Sequence, residues 1–220
     1  MKIAVIGGSG RVGKRIVRLL LARGHVVTTF NRRGERAKLM NPGVSAAVSG
    51  NYIDLYALTE FVRGSDAVVA ATIPVRTAPE WFVPGNQNVM KACKAAGVTR
   101  VLFVGNHCTL TQDGQPIRYM YAQPPEFAKF VPLHADVLDY VRLNAEDLDW
   151  SVVTPAARMF PYGSVTGRYL ETTSDEILLP DPEQGMASSH IAMEDYANFF
   201  VNELEHPRYI RQRVAICSPR

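Results

Sequence analysis

The apolar run Lys2-Ile3-Ala4-Val5-Ile6 leads directly into Gly7-Gly8-Ser9-Gly10-Arg11-Val12-Gly13, and few folds accommodate that junction. A short continuous apolar run reads as a strand buried on both faces, and glycines at its end let the backbone turn tightly and approach a ligand. From Arg11 to Arg23, Val12, Ile16, Leu19 and Leu20 fall on one helical face while Lys14, Arg15 and Arg18 lie largely on the other, and Gly24 stands where a C-terminal cap belongs. The order is therefore strand, glycine turn, helix. The start of such a helix offers unpaired N–H groups and the positive end of its dipole, which suit a pyrophosphate.

Two glycine registers are open, Gly8-Gly10-Gly13 as G-x-G-x-x-G and Gly7-Gly10-Gly13 as G-x-x-G-x-x-G. The first turn glycine should follow the last strand residue, Ile6, so the register on Gly7, Gly10 and Gly13 is preferred. A second strand over His25 to Phe30 completes the spacing of a dinucleotide-binding unit, with Gly7, Ser9, Gly10, Arg11, Val12 and Gly13 as the phosphate-side candidates. Residues 1–34 hold eight bases and no acid, an electropositive surround for a phosphate-rich ligand. After the second strand, where an NAD-binding unit carries Asp or Glu for the ribose 2′-hydroxyl, this chain has Asn31-Arg32-Arg33. A guanidinium can fork two hydrogen bonds to a 2′-phosphate that a carboxylate would repel, so NADP(H) is expected over NAD(H), with Asn31 and Arg32 as its ligands.

The alternation continues. Ser45 to Ser49 reads as a third strand ending at Gly50-Asn51, Asp54 to Val62 as a helix, and Ala67 to Thr72 as a fourth strand whose end, with Ile73 and Pro74, should approach the cofactor. Val75 to Pro84 reads as a loop, Asn86 to Ala96 as a helix closed by Gly97, and Arg100 to Val104 as a fifth strand ending at Gly105-Asn106-His107-Cys108. Asn51, Thr72, Ile73 and Gly105 join the cofactor-binding candidates. This pattern predicts a Rossmann-type α/β fold, a doubly wound parallel sheet with right-handed crossovers. Further on, Pro132 to Leu148 reads as a helix and Trp150 to Thr154 as a sixth strand. Short strands follow near 167–170 and 176–179, then a helix over Met193 to Leu204 and a last strand over Tyr209 to Ile216. One domain over residues 1–220 is expected, with substrate-side elements mainly in 105–131 and 155–192.

Composition narrows the classes. With 47% hydrophobic and 20% charged residues the chain has the makeup of a globular protein, and no apolar run is long enough for a membrane span. The first strand begins at Lys2, leaving no room for a cleavable leader, so a cytoplasmic location is expected. A net charge of +3 is too small to imply nucleic-acid binding. Cys93, Cys108 and Cys217 are odd in number and widely spaced, which suggests neither a disulfide framework nor a metal site. The expected partner is a small-molecule substrate, and the chain a monomer or homodimer.

Several stretches together resemble the atypical short-chain dehydrogenase/reductase superfamily. They are the glycine run, Asn31-Arg32, Gly64-Ser65-Asp66-Ala67-Val68, Ala92-Cys93-Lys94-Ala95-Ala96-Gly97-Val98-Thr99-Arg100-Val101, and Asp149-Trp150-Ser151-Val152-Val153-Thr154-Pro155. Thr166-Gly167-Arg168-Tyr169, Asp195-Tyr196-Ala197 and Glu203-Leu204-Glu205-His206-Pro207 extend the likeness over nearly the whole chain. Within the superfamily the chain is similar to the NAD(P)H-binding group that includes NADH-flavin reductases and biliverdin-reductase-B-like flavin reductases. The resemblance implies a nicotinamide-dependent reductase, but two positions depart from its pattern. None of the nine tyrosines is followed four residues on by lysine, and Gly105-Asn106 replace the serine that normally closes the fifth strand. His134, standing about where the lysine would be, joins His107 and Asn106 as a candidate for proton handling.

The long segment from Cys108 to Val131 reads as an irregular lid, with Tyr119 and Tyr121 able to stack on a planar substrate. Arg158, Met159, Phe160 and Tyr162 leave the sixth strand toward the same crevice and complete the candidate substrate-binding set. A planar acceptor such as FMN, FAD or a quinone can take its proton from solvent, which accommodates the missing pair. A non-catalytic NADP(H) sensor and a non-redox isomerase or cyclase using His107 or His134 stay open as alternatives.

Overall fold

The computed structural model describes residues 1–74, 77–120 and 128–219. Strand β1, Lys2–Ile6, is buried from Ile3 onward, and because successive side chains alternate it feeds two cores. Ile3 and Val5 pack with Ile16, Val17 and Leu20 of helix α1, Gly13–Ala22, on one face of the sheet. Ala4 and Ile6 pack on the other face with Leu58 and Val62 of α3, Leu55–Val62, and with Val89, Met90 and Cys93 of α4, Phe82–Ala96. Every apolar residue of β1 is thereby used, and so β1 sits in the middle of the sheet.

Parallel strands β2, Val26–Asn31, and β3, Ala46–Ser49, lie to one side of β1, with α2, Gly34–Met40, between them in sequence. To the other side come β4, Ala67–Ala70, β5, Arg100–Val104, β8, Asp149–Pro155, and β12, Gln212–Cys217, all parallel. The antiparallel strand β10, Leu170–Thr172, closes that edge. The order β10-β12-β8-β5-β4-β1-β2-β3 is a doubly wound sheet, and its direction of winding reverses between β1 and β4. At that reversal the crossovers leave to opposite faces and open a crevice at the carboxyl ends of the strands. The last two helices are α6, Val131–Asn144, and α7, Met193–Glu205, which packs against α1 through Tyr196, Phe199 and Phe200.

Four departures from the sequence reading have physical causes. Helix α4 begins at Phe82, preceded by a turn of 3₁₀-helix over Pro79–Trp81, so the second half of the expected loop is helical. Pro84 falls in the first turn of α4, where a missing N–H costs nothing. Helix α6 ends at Asn144 rather than Leu148, because Asp149 N–H is engaged by Thr99 O at 2.9 Å and a turn closed by Leu148 N–H on Ala145 O must intervene. The expected irregular segment contains a small hairpin, β6 Thr111–Gln112 with β7 Gln115–Pro116, and a short helix α5, Ile117–Met120. Glu176 accepts from Thr111 Oγ1 and from the Asp113 and Gly114 N–H groups, which explains both the hairpin and why residue 176 forms only a bridge to Thr111 in place of a strand. Finally, β9, Arg158–Phe160, pairs in parallel with β11, His190–Ala192, a contact with no local signature.

Candidate nucleotide site

The glycine turn is packed tightly at its first and last glycines. Gly7 has φ +83, and a Cβ there would stand 2.4 Å from Ala71 O. A Cβ on Gly13 would stand 2.2 Å from Gly7 O, so α1 could not start this close to β1 with any other residue. Gly10 N–H donates to Gly7 O at 2.9 Å and closes the turn. The loop is braced from β2, where Asn31 Oδ1 accepts the Ser9 N–H at 2.9 Å. Asn31 is buried, and its Nδ2 has no hydrogen-bond partner among the described residues.

A cavity of about 620 Å³ opens over the carboxyl ends of β1, β2 and β4. Its floor is Ile6, Gly7, Ser9, Gly10 and Asn31, one wall is Ala71, Thr72, Ile73 and Pro74, and the far end holds Arg32, Arg33, Arg36, Gly50 and Tyr52. No carboxylate lines it among the described residues. Thr72 is oriented by Asn86, whose Oδ1 accepts from Thr72 Oγ1 at 3.0 Å while its Nδ2 donates to Phe82 O at 2.7 Å. Burial pushes the Tyr52 phenol up to about 12, against the opposing influence of the Arg32 guanidinium. A cation-rich cleft lined both by the glycine turn and by guanidinium groups can hold a molecule with more than one phosphate.

Of the residues singled out in the sequence, Gly7, Ser9, Gly10, Asn31, Arg32, Thr72 and Ile73 line this cavity. Arg11 is solvent-exposed and its carbonyl accepts from Arg15 Nη1, and Val12 turns toward the core. Gly13 acts through packing, and Asn51 Oδ1 accepts from Ile53 N–H at 3.2 Å. Gly105 borders a separate space of about 10 Å³ behind β5, shared with Asn106, Thr109 and His134. Arg33, Arg36 and Tyr52 were not chosen from sequence as ligand-side groups. Arg36 lies in the first turn of α2, immediately after the β2–α2 junction that carries Arg32 and Arg33.

The groups considered for proton handling do gather near the end of β5. His134 is buried on α6 with its ring edge-on to Phe82 at 4.7 Å, and its pKa is pushed down to about 4 by burial and then by His107. Burial also lowers His107, whose Nε2 lies 3.5 Å from Cys108 Sγ. Asn106 Oδ1 accepts from the Cys108 N–H at 2.9 Å and so caps the short turn that follows β5. Burial raises the Cys108 thiol to about 11, which keeps it protonated at neutral pH.

The structure does not bring the substrate-side candidates to the large cavity. Tyr119 and Tyr162 are exposed, Arg158 lies over the Phe160 ring at 5.7 Å, and Met159 packs against the core beside α1. Tyr121 lies outside the described residues. The reason is a clamp that sequence could not reveal: Arg15 donates from Nε to Glu194 Oε1 at 2.7 Å and from Nη2 to Pro161 O, fastening the segment after β8 onto α1 and α7.

Comparison with known proteins decides the family. A family described as NAD(P)H-binding matches residues 7–207. The chain belongs to this family. It is 28% identical to YwnB of Bacillus subtilis over 99% of both chains. Among solved structures it is similar to a candidate NADH-flavin reductase from Streptococcus pneumoniae, with TM-score 0.80 and 27% identity over 99% of each chain. A candidate epimerase from Bacteroides thetaiotaomicron superposes with TM-score 0.87 and 27% identity over 100% of this chain and 97% of that one. The family match and these neighbours fit an atypical short-chain dehydrogenase/reductase group, with an oxidoreductase-like Rossmann fold. No helix among the described residues is long and apolar enough to cross a membrane.

Proposed function

We propose that this NAD(P)H-binding protein is an NADPH-dependent reductase that delivers hydride to a planar small molecule such as a flavin or a quinone-like ring. The observation that carries the cofactor preference is that Arg32, Arg33 and Arg36 all line the cavity, with no carboxylate among the described lining residues. An acid at the end of β2 would favour a free ribose 2′-hydroxyl, whereas guanidinium groups favour a phosphate there. The donor set fits the cofactor: Asn31 Nδ2 is a buried amide without a partner among the described residues, and the Ser9–Asn31 bond braces the glycine turn from β2.

Bound nicotinamide supplies hydride chemistry. The chain supplies position: Thr72, set by Asn86, lines the cavity at the end of β4, and Ile73 and Pro74 add apolar surface beside it. Neither His134 nor His107 holds a proton as imidazolium at neutral pH, and Asn106 is engaged in capping its turn. An acceptor that draws its proton from solvent suits such a site. The test is loss of NADPH absorbance on adding FMN, FAD or a quinone, and no turnover with any of them overturns the reductase reading. The same scarcity of acid groups favours, as a second reading, an NADP(H) sensor, which would bind the nucleotide tightly and oxidise none of it.

A further inference from the structure

The end of β4 offers a ligand a different kind of partner from the arginines. The sheet order sets β4 and β2 on opposite sides of β1, so Thr72, just past β4, and Arg32, just past β2, flank the glycine turn. A Cβ on Gly7 would stand 3.7 Å from the Thr72 nitrogen, which puts this wall beside the first glycine of the turn. Thr72 is partly exposed and lines the cavity, whereas its partner Asn86 on α4 is only 3% exposed. The pair has a fixed polarity. Phe82 O can only accept, and Asn86 Nδ2 donates to it at 2.7 Å, which leaves Oδ1 as the atom turned to Thr72. Oδ1 carries no hydrogen, so the Thr72 hydroxyl commits its one proton to that 3.0 Å bond. The hydroxyl keeps lone-pair capacity: it can accept a hydrogen bond from a ligand and cannot donate one. Arg32, Arg33 and Arg36 are the opposite kind, donors only. An ionised phosphate, which offers acceptors alone, suits the arginines and not Thr72; a ligand hydroxyl suits Thr72.

We propose that the Thr72 hydroxyl accepts a hydrogen bond from the ribose that carries nicotinamide in NADP(H), and that Asn86 is the positioning residue that keeps this hydroxyl an acceptor. With the 2′-phosphate among the arginines past β2 and the pyrophosphate over the glycine turn, the next group along the molecule is this second ribose. The next strand across the sheet is β4. The hydroxyls of that ribose are the donors nearest the pyrophosphate on that side. Asn86 matters because a hydroxyl fixed in advance needs less ordering when the ligand arrives. A reductase and a sensor would hold the ribose in the same way, and the assignment rests only on the NADP(H) reading above.

The experiment is calorimetry on the wild type, Thr72→Val, Thr72→Ser, Asn86→Ala and the double variant of Thr72→Val with Asn86→Ala. The ligands are 2′,5′-ADP, 2′-phospho-ADP-ribose and NADPH, of which only the last two carry the second ribose. Thr72→Val should weaken those two by about three- to tenfold, the size of one neutral hydrogen bond, and leave 2′,5′-ADP within about twofold. Asn86→Ala should weaken the same two by at least about threefold, and Thr72→Ser, which keeps the hydroxyl, should stay within about twofold of the wild type throughout. Because Asn86 acts through Thr72, adding Asn86→Ala to Thr72→Val should remove no further affinity, whatever it does to the melting temperature. A merely structural asparagine gives no such ligand dependence. Equal losses for 2′,5′-ADP, losses confined to NADPH, no loss, additive losses in the double variant, or failure of Asn86→Ala to fold each overturn the proposal. If the wild type does not prefer NADPH to NADH, the cofactor reading fails and this assignment with it. A wild type that prefers NADPH, with variants that bind all three ligands as it does, defeats the assignment alone.

Discussion

Changing Asn31 to Asp gives a sharp test of how the site chooses its nucleotide. The two side chains have nearly the same shape, and a carboxylate oxygen at the position of Oδ1 keeps the 2.9 Å bond from Ser9 N–H that braces the glycine turn. What changes is the other terminal atom, now the unpartnered buried Nδ2, which becomes an anionic oxygen on a residue that lines the cavity together with Arg32, Arg33 and Arg36. With a separation of roughly 6–7 Å and an effective dielectric of about 20, a carboxylate and one unit of phosphate charge repel by about 2.5 kcal/mol. Loss of an amide donor adds about 1 kcal/mol. NADPH should therefore weaken by on the order of 100-fold or more. NADH offers a hydroxyl where NADPH carries phosphate, and the new carboxylate accepts it, so NADH affinity should hold or rise. Both affinities can be measured by calorimetry, with circular dichroism as a check on folding. A folded variant whose NADPH-to-NADH preference moves by less than about threefold refutes this account of the β2 end.

Two further predictions concern the frame and pH. Arg100 and Glu203 are both nearly inaccessible and pair at 2.9 Å, and Glu203 also accepts the Arg208 and Tyr209 N–H groups; Glu203→Ala should cost about 3–5 kcal/mol, seen as a lower urea midpoint, because a buried guanidinium is left unpaired. His134 is buried with a pKa lowered to about 4, so between roughly pH 6.5 and 4 the unfolded chain binds the extra proton. Stability contributed by the neutral ring is present above that window and lost as pH falls through it, by up to about 3 kcal/mol. His134→Leu should flatten this acid limb in urea titrations at several pH values, and an unchanged slope would count against the burial effect.

The first half of the site could be read along the chain because its parts are local. Gly7, Gly10, Gly13, Asn31 and Arg32 follow two consecutive strands, and steric rules at strand ends suffice to place them. Tyr52 escaped notice because its place depends on Gly85, thirty-odd positions later, against which its ring packs, and a tyrosine after a strand has no pattern of its own. Arg158, Phe160 and Tyr162 illustrate the opposite case. Their place after β8 suggested the crevice, yet pairing of β9 with β11 and the grip of Arg15 carry them elsewhere. Pro84 misled for a third reason, since proline marks loops and first helical turns equally well.

The tightness of the glycine turn also bears on how such a protein can change over evolution or in the laboratory. With hypothetical Cβ atoms 2.4 and 2.2 Å from backbone oxygens at Gly7 and Gly13, the glycine-turn half of the cleft has no room for a side chain at either position. The opposite half carries the exposed side chains of Arg32, Arg33 and Arg36. Diversity in nucleotide preference can therefore accumulate at 32, 33 and 36, whereas Asn31 braces the turn and a Cβ on Gly34 would stand 2.7 Å from Ala47 O, so a library aimed at a new cofactor should spend its randomised codons on those three positions.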